Sequence, residues 1–149
     1  MTYVYAFLEN RVLLSVVLSF FAAQIAKVVL TLIQQKKFDA RRLIGLGGMP
    51  SSHSSSVCAL STSLLIAKGF YSAEFAISLV LAMIVMTDAM GVRQAAGKQA
   101  EMLNKIVADL IESGQWPTQE KLKELLGHTP MQVVVGALLG ILISILVMQ

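Results

Sequence analysis

Apolar residues run almost unbroken through four stretches, about 12–33, 52–68, 73–91 and 131–148, each bounded by charged or turn-forming residues. Apolarity sustained over such lengths predicts helices that cross a lipid bilayer, where each backbone N–H and C=O must find its partner within its own segment. The expected fold is all-α: an integral membrane helical bundle with about four transmembrane helices, forming a single membrane domain over residues 1–149. The second and third runs are short, and "KGFYSAE" between them reads as a tight helical hairpin.

The polar positions concentrate between the third and fourth runs, in an insert over about 94–127. Within it Met102, Leu103, Ile106, Val107, Leu110 and Ile111 recur at helical spacing, with Lys105, Asp109 and Glu112 on other faces, which predicts an amphipathic helix. Such a helix either lies on the membrane surface or covers the bundle, and the pattern alone leaves both open. After "SGQWPT" a second short helix is expected from Gln119 to Leu126, stopped by Gly127.

Composition agrees with the pattern. With 56% hydrophobic residues and a mean hydropathy of +0.71, the 149-residue chain is too apolar for a water-soluble fold. The net charge of +3 resides mostly in loops and forms no basic stripe, so a nucleic-acid partner is not expected. The lone Cys58 sits inside an apolar run, excludes an internal disulfide and reads as a small apolar residue. The first run follows Arg11 in the manner of a signal peptide, but it continues past Lys27 through "VVLTLI" for roughly 22 residues, a full bilayer crossing, and is expected to be retained.

Four crossings place the loop at 34–51 and the insert at 92–130 on one side of the membrane, and both termini with the hairpin on the other. The first side carries Lys36, Lys37, Arg41, Arg42, Arg93, Lys98, Lys105, Lys121 and Lys123; the second carries Arg11 and Lys68. The positive-inside rule then puts the loop and the insert in the cytoplasm, with the chain in what is expected to be a bacterial cell membrane.

This topology gathers His53, Arg93 and His128, remote in sequence, at one membrane surface. Lys27 lies in the first span a turn or two from the same surface, where an ionisable group is costly unless paired, snorkelling or facing a polar cavity. A cavity ringed by Lys27, Arg93 and the basic loop would attract an anion. Phosphate oxygens need cations and unpaired N–H donors, and a helix start supplies the donors together with a positive dipole end. "MPSSHSSS" has that form: Pro50 leads into a helix, Ser51 or Ser52 caps it, and His53 falls in its first turn. The plainer alternative is that the serines only cap a helix and His53 is an interfacial polar residue. "HTPMQ" repeats the arrangement, with Thr129, Pro130 and Gln132 as a capping box and His128 at its threshold. Asp88, five residues before Arg93, reads as a charge partner of Arg93 or Lys27, or as a group that orients a histidine. Gly136 and Gly140 form a small-xxx-small pattern for close helix packing. Two histidines without a nearby cysteine make a poor transition-metal site, and no metal or cofactor is expected.

The three blocks "GGMPSSHSSS", "TDAMGVRQAAGKQAEMLN" and "LGHTPMQVVVGALLG" resemble the divergent bacterial and plant branch of the type 2 phosphatidic acid phosphatase superfamily, which is related to vanadium haloperoxidases; the likeness covers nearly the whole chain from Lys27 onward. The resemblance implies that His128 is the nucleophile, that His53 is the acid for the leaving oxygen, and that Lys27, Ser51 and Ser52 bind phosphate. Pro50, Ser51 and His53 match the parent's second motif, with Ser52 in place of its glycine, and Val133, Gly136 and Gly140 keep the spacing downstream of the nucleophile. Other positions depart further from the parent pattern. Gln34 stands where the first-motif arginine belongs, so that Arg41 or Arg42 would substitute; Leu122 replaces the third-motif arginine, a role that would fall to Arg93; and Gln132 holds the place of the aspartate that orients the nucleophile.

The implied activity is metal-independent hydrolysis of a lipid phosphate or diphosphate, such as an isoprenoid or glycerolipid phosphate, through a phosphohistidine. Its alternative is a catalytically weakened or inactive phosphate-binding or structural membrane protein on the same scaffold, motivated by Gln132 and Leu122. Oligomeric state is not legible in the sequence.

Overall fold

The computed structural model describes residues 9–35, 48–113 and 128–149, the side chains of 34–35 and 92–94 excepted. Five helices follow in order: α1 Arg11–Gln35, α2 Ser52–Lys68, α3 Ala73–Met90, α4 Val92–Glu112 and α5 Pro130–Met148. No strand occurs among the described residues. The loop bearing Arg41 and Arg42 and the short helix expected over 119–126 lie outside them.

Among the described residues three helical stretches are long and apolar enough to cross a membrane: α1 through Ile33, the stretch from Ala73 that begins with α3, and α5. The 17 residues of α2 span about 26 Å, short of a typical hydrocarbon core of about 30 Å. Yet α2 is the central helix, packed against α1, α3 and α5, while α1 also packs on α5. Its serines at 52, 54, 55, 61 and 63 are buried, turned toward protein rather than lipid.

The bundle is polar inside and apolar outside. Buried positions on α1 recur every fourth residue, at Ser15, Ser19, Ala23, Lys27 and Thr31, whereas Leu18, Phe21, Ile25, Val29 and Leu32 face outward. On α5 the buried set is Val133, Gly136, Gly140 and Ser144, and Leu138, Leu142 and Leu146 are exposed. Lipid tails are as apolar as leucine, so burying leucine gives no advantage in a membrane; small residues bring backbones close, and hydroxyls bond across helices. Both effects operate in this bundle. A Cβ at Gly136 would overlap the Ser51 carbonyl oxygen, and one at Gly140 the Ser55 carbonyl oxygen, so α2 and α5 touch backbone to backbone.

Deeper in the bundle, hydroxyls join three helices. Ser15 Oγ donates to the Val12 carbonyl at 2.8 Å, using its one proton, so Ser63 Oγ must donate to Ser15, and Ser144 Oγ in turn to Ser63 at 2.7 Å. Ser55 Oγ donates to the Ser19 carbonyl at 3.1 Å. Among the described residues, the Ser19 hydroxyl is the one buried side-chain N or O atom left without a partner.

Local signals set the helix ends. Asn10 Oδ1 accepts the Leu13 N–H at 3.1 Å and caps α1. The hairpin between α2 and α3 forms as its sequence predicts: Gly69 takes φ 84°, a conformation that suits a residue without Cβ, and Ser72 caps α3 through the Phe75 N–H at 3.2 Å.

Candidate functional site

The start of α2, the end of α3 and the start of α5 meet at one end of the bundle. Two backbone hydrogen bonds tie them together: Ser51 N–H to the Gln132 carbonyl at 3.0 Å, and His128 N–H to the Ala89 carbonyl at 3.1 Å. The helix starts that carry His53 and His128 therefore belong to one junction of three helix termini.

The chain leads into α2 through Gly48, at φ 87°, and a cis Met49–Pro50 peptide bond. Ser51 is the cap: its side chain accepts from the Ser54 N–H at 3.3 Å and from the Ser54 hydroxyl at 3.0 Å. Ser51, Ser52, Ser54 and Ser55 are all buried, and His53, in the first turn, is half-buried. The helix itself offers no acceptor to the N–H groups of Ser52 and His53.

At the start of α5 the capping box predicted for Thr129 and Gln132 is formed, with Pro130 as the first helical residue. Gln132 Oε1 accepts the Thr129 N–H at 3.1 Å and also lies 3.1 Å from His128 Nδ1. Because a backbone N–H only donates, the amide oxygen is fixed in this position, and the ring atom facing it must carry a hydrogen. Neutral His128 is thus held with Nδ1 protonated and its lone pair on Nε2. The residue is 6% exposed, so the ring is set in the protein rather than free to rotate.

Lys27 is buried in α1, 2% exposed, and donates to Gln24 Oε1 at 2.8 Å. Antiparallel pairing of α1 with α2, Ser15 opposite Ser63 and Ser19 opposite Ser55, carries the next two turns of α1 toward the capped end of α2. Helical side chains lean toward their own N-terminus, so the Lys27 ammonium tilts back to the level of that end. Gln24 escaped the sequence reading. Its signal was present: an amide in an apolar run, three residues before Lys27 and on the same face.

Asp88 is half-buried in the last turn of α3, one residue before the carbonyl that holds His128. Arg93 lies in the first turn of α4, just past Gly91, so its backbone is near the same junction. Arg41 and Arg42 fall outside the described residues. Among the described residues no group of three or more His, Cys, Asp or Glu side chains is placed to hold a metal ion.

Fold and junction together define a helical membrane protein with a histidine–serine cluster at one end of its bundle. Residues 8–143 match the model of the Divergent PAP2 family, and the chain belongs to that family. It is also 43% identical over 148 residues, 93% of this chain and 94% of the relative, to a Bacillus subtilis (strain 168) protein described as the uncharacterized membrane protein YuiD. No solved structure matches the chain.

Proposed function

We propose that this protein is a membrane phosphatase that hydrolyses a lipid phosphate or diphosphate through a phosphohistidine at His128. The observation that carries the reading is the fixed imidazole: with Nδ1–H held by Gln132 Oε1, the lone pair on Nε2 is oriented for in-line attack on phosphorus. As the Nε2–P bond forms, the bond from phosphorus to the leaving oxygen breaks, and His53 gives that oxygen a proton. Water then attacks the phosphohistidine and releases phosphate, with His53 as the base. Lys27, Arg93 and the N–H groups of Ser52 and His53 offset the charge on the phosphoryl oxygens, the N–H of Ser51 being engaged with the Gln132 carbonyl, and Arg41 and Arg42 are placed by sequence to add to them.

A lipid substrate suits the surroundings. Below the junction a lipid-facing crevice of about 230 Å³ between α2, α3 and α5 is lined by Thr62, Leu65, Phe75, Leu79, Met86 and Ile141, and would take part of an acyl or isoprenoid chain. The positive-inside count assigns the site to the cytoplasmic face of a bacterial cell membrane.

One observation favours a second reading, a phosphate-binding or structural protein without turnover. Gln132, where the parent superfamily has an aspartate, divides its oxygen between the helix cap and the ring and brings no negative charge to the latter. The deciding experiment is phosphate release by the purified protein from isoprenoid and glycerolipid phosphates and diphosphates, with His128→Ala and His53→Ala alongside. Release by wild type and its loss in both variants supports the phosphatase; equal inertness of all three across the panel overturns it in favour of the binder. A reporter fused to the C-terminus tests sidedness, and a cytoplasmic C-terminus would reverse the assignment.

A further inference from the structure

The amphipathic helix α4 does not cover the bundle. Among the described residues it packs on α3 alone, the helix to which it is joined through Gly91, and on none of α1, α2 or α5. Its apolar residues are left outside: Met102 is 66%, Leu103 48% and Ile106 49% exposed. At 100° per residue, Met102, Leu103, Ile106, Val107, Leu110 and Ile111 fill about half of the helix circumference, while Glu101, Lys105 and Glu112 lie opposite.

We propose that α4 is an in-plane membrane helix, its apolar face sunk into the boundary between headgroups and acyl chains on the His53 and His128 side. Three observations select lipid as the occupant of that face. The helix begins two residues after Met90, the end of α3, and the apolar stretch that starts at Ala73 is long enough to cross a membrane, so the first turns of α4 fall near a membrane boundary by covalent connection. The helix it is joined to, α3, is likewise apolar on its outside, with Ile77, Val80, Leu81, Met83 and Ile84 exposed, so the two exposed apolar surfaces belong to neighbouring stretches of chain. The polar face is arranged for water: Lys105 donates to Glu101 at 2.9 Å one turn away, and this bond with the attraction of the ammonium holds the Glu101 carboxyl below its ordinary range. Lys98 falls at the edge of the apolar sector beside Met102, where a cation meets anionic headgroups. With 21 residues, about 31 Å, α4 would spread along the leaflet.

The test is a collision-accessibility scan of the full chain in vesicles of phosphatidylglycerol and phosphatidylethanolamine. Single spin labels are placed at 103, 106 and 110 and, for contrast, at 101, 105 and 108, in a Cys58→Ala background. The expected result is an oxygen-to-nickel-chelate accessibility ratio several-fold higher at 103, 106 and 110 than at the other three sites. Low accessibility of 103, 106 and 110 to both reagents would mean that another part of this chain or a second copy covers the face, and would overturn the proposal. High nickel-chelate accessibility there would place the helix in water and overturn it equally. Should Cys58→Ala not fold, tryptophan placed at 103 or at 105 in a Trp116→Phe background gives the same contrast, with quenching by brominated lipid expected at 103 and not at 105.

Discussion

His128 and Gln132 stand one helical turn apart at the start of α5 and are joined through a single amide oxygen, 3.1 Å from the ring Nδ1 and 3.1 Å from the Thr129 N–H. Helix capping and histidine orientation therefore use the same atom. Gln132→Leu removes both and is expected to cost about 1 kcal/mol of stability and to lower turnover of a lipid phosphate by up to about 10⁴-fold, the scale seen when a catalytic histidine loses its tautomer. Thr129→Ala separates the two effects: it removes the other half of the cap at similar cost in stability yet leaves the ring bond, so its turnover should stay near wild type. Thermal unfolding in detergent and steady-state phosphate release read the two quantities.

The contact between α2 and α5 leaves no room for a methyl group. Gly140→Ala would drive a Cβ into the Ser55 carbonyl oxygen, which is backbone and cannot swing aside, and should destabilise the protein by about 1–3 kcal/mol or more. Gly136→Ala meets Ser51 in the same way, and because Ser51 caps the helix start at the junction, activity should fall further than for Gly140→Ala. Leu138→Ala, on the outward face, is expected to change little in either assay.

Gln24 is the acceptor for a buried ammonium. Replacing it with leucine removes a charge-assisted hydrogen bond, worth about 1.5–3 kcal/mol, and should reduce kcat/KM for a lipid phosphate by roughly 10- to 100-fold. Gln24→Glu keeps an acceptor in reach of Lys27 Nζ and should recover most of the loss. A purely packing role for Gln24 predicts no such recovery.

Two serines of the core should behave oppositely. Ser63 is the middle of the hydroxyl chain from Ser144 to Ser15, so Ser63→Ala should destabilise by about 0.6–2 kcal/mol. The Ser19 hydroxyl has no partner among the described residues, and removing an unsatisfied buried hydroxyl is neutral or stabilising, so Ser19→Ala should keep or raise the unfolding temperature. Equal losses in the two variants would contradict the hydrogen-bond assignment.

Much of this molecule is local and was legible in residue order. The apolar runs became α1, α2, α3 and α5; the Gly69 turn, the Ser51 cap and the box of Thr129 with Gln132 formed where their residue types stand; and the period of 102–111 became the amphipathic α4. Each depends on neighbours within about one helical turn, whose chemistry the sequence states directly. Span counting, a one-dimensional argument, also put the helix starts that carry His53 and His128 at the same end of the bundle, where Ser51 bonds to Gln132. Contacts between distant segments were not legible. That Ser51 bonds the Gln132 backbone, that His128 hangs from Ala89, that Gln24 holds Lys27 and that serines rather than leucines fill the core follow from helix register and rotation. Those are set by the packing of whole helix faces in a solvent as apolar as the side chains themselves, so hydropathy, which predicts each helix, is blind to how the helices meet.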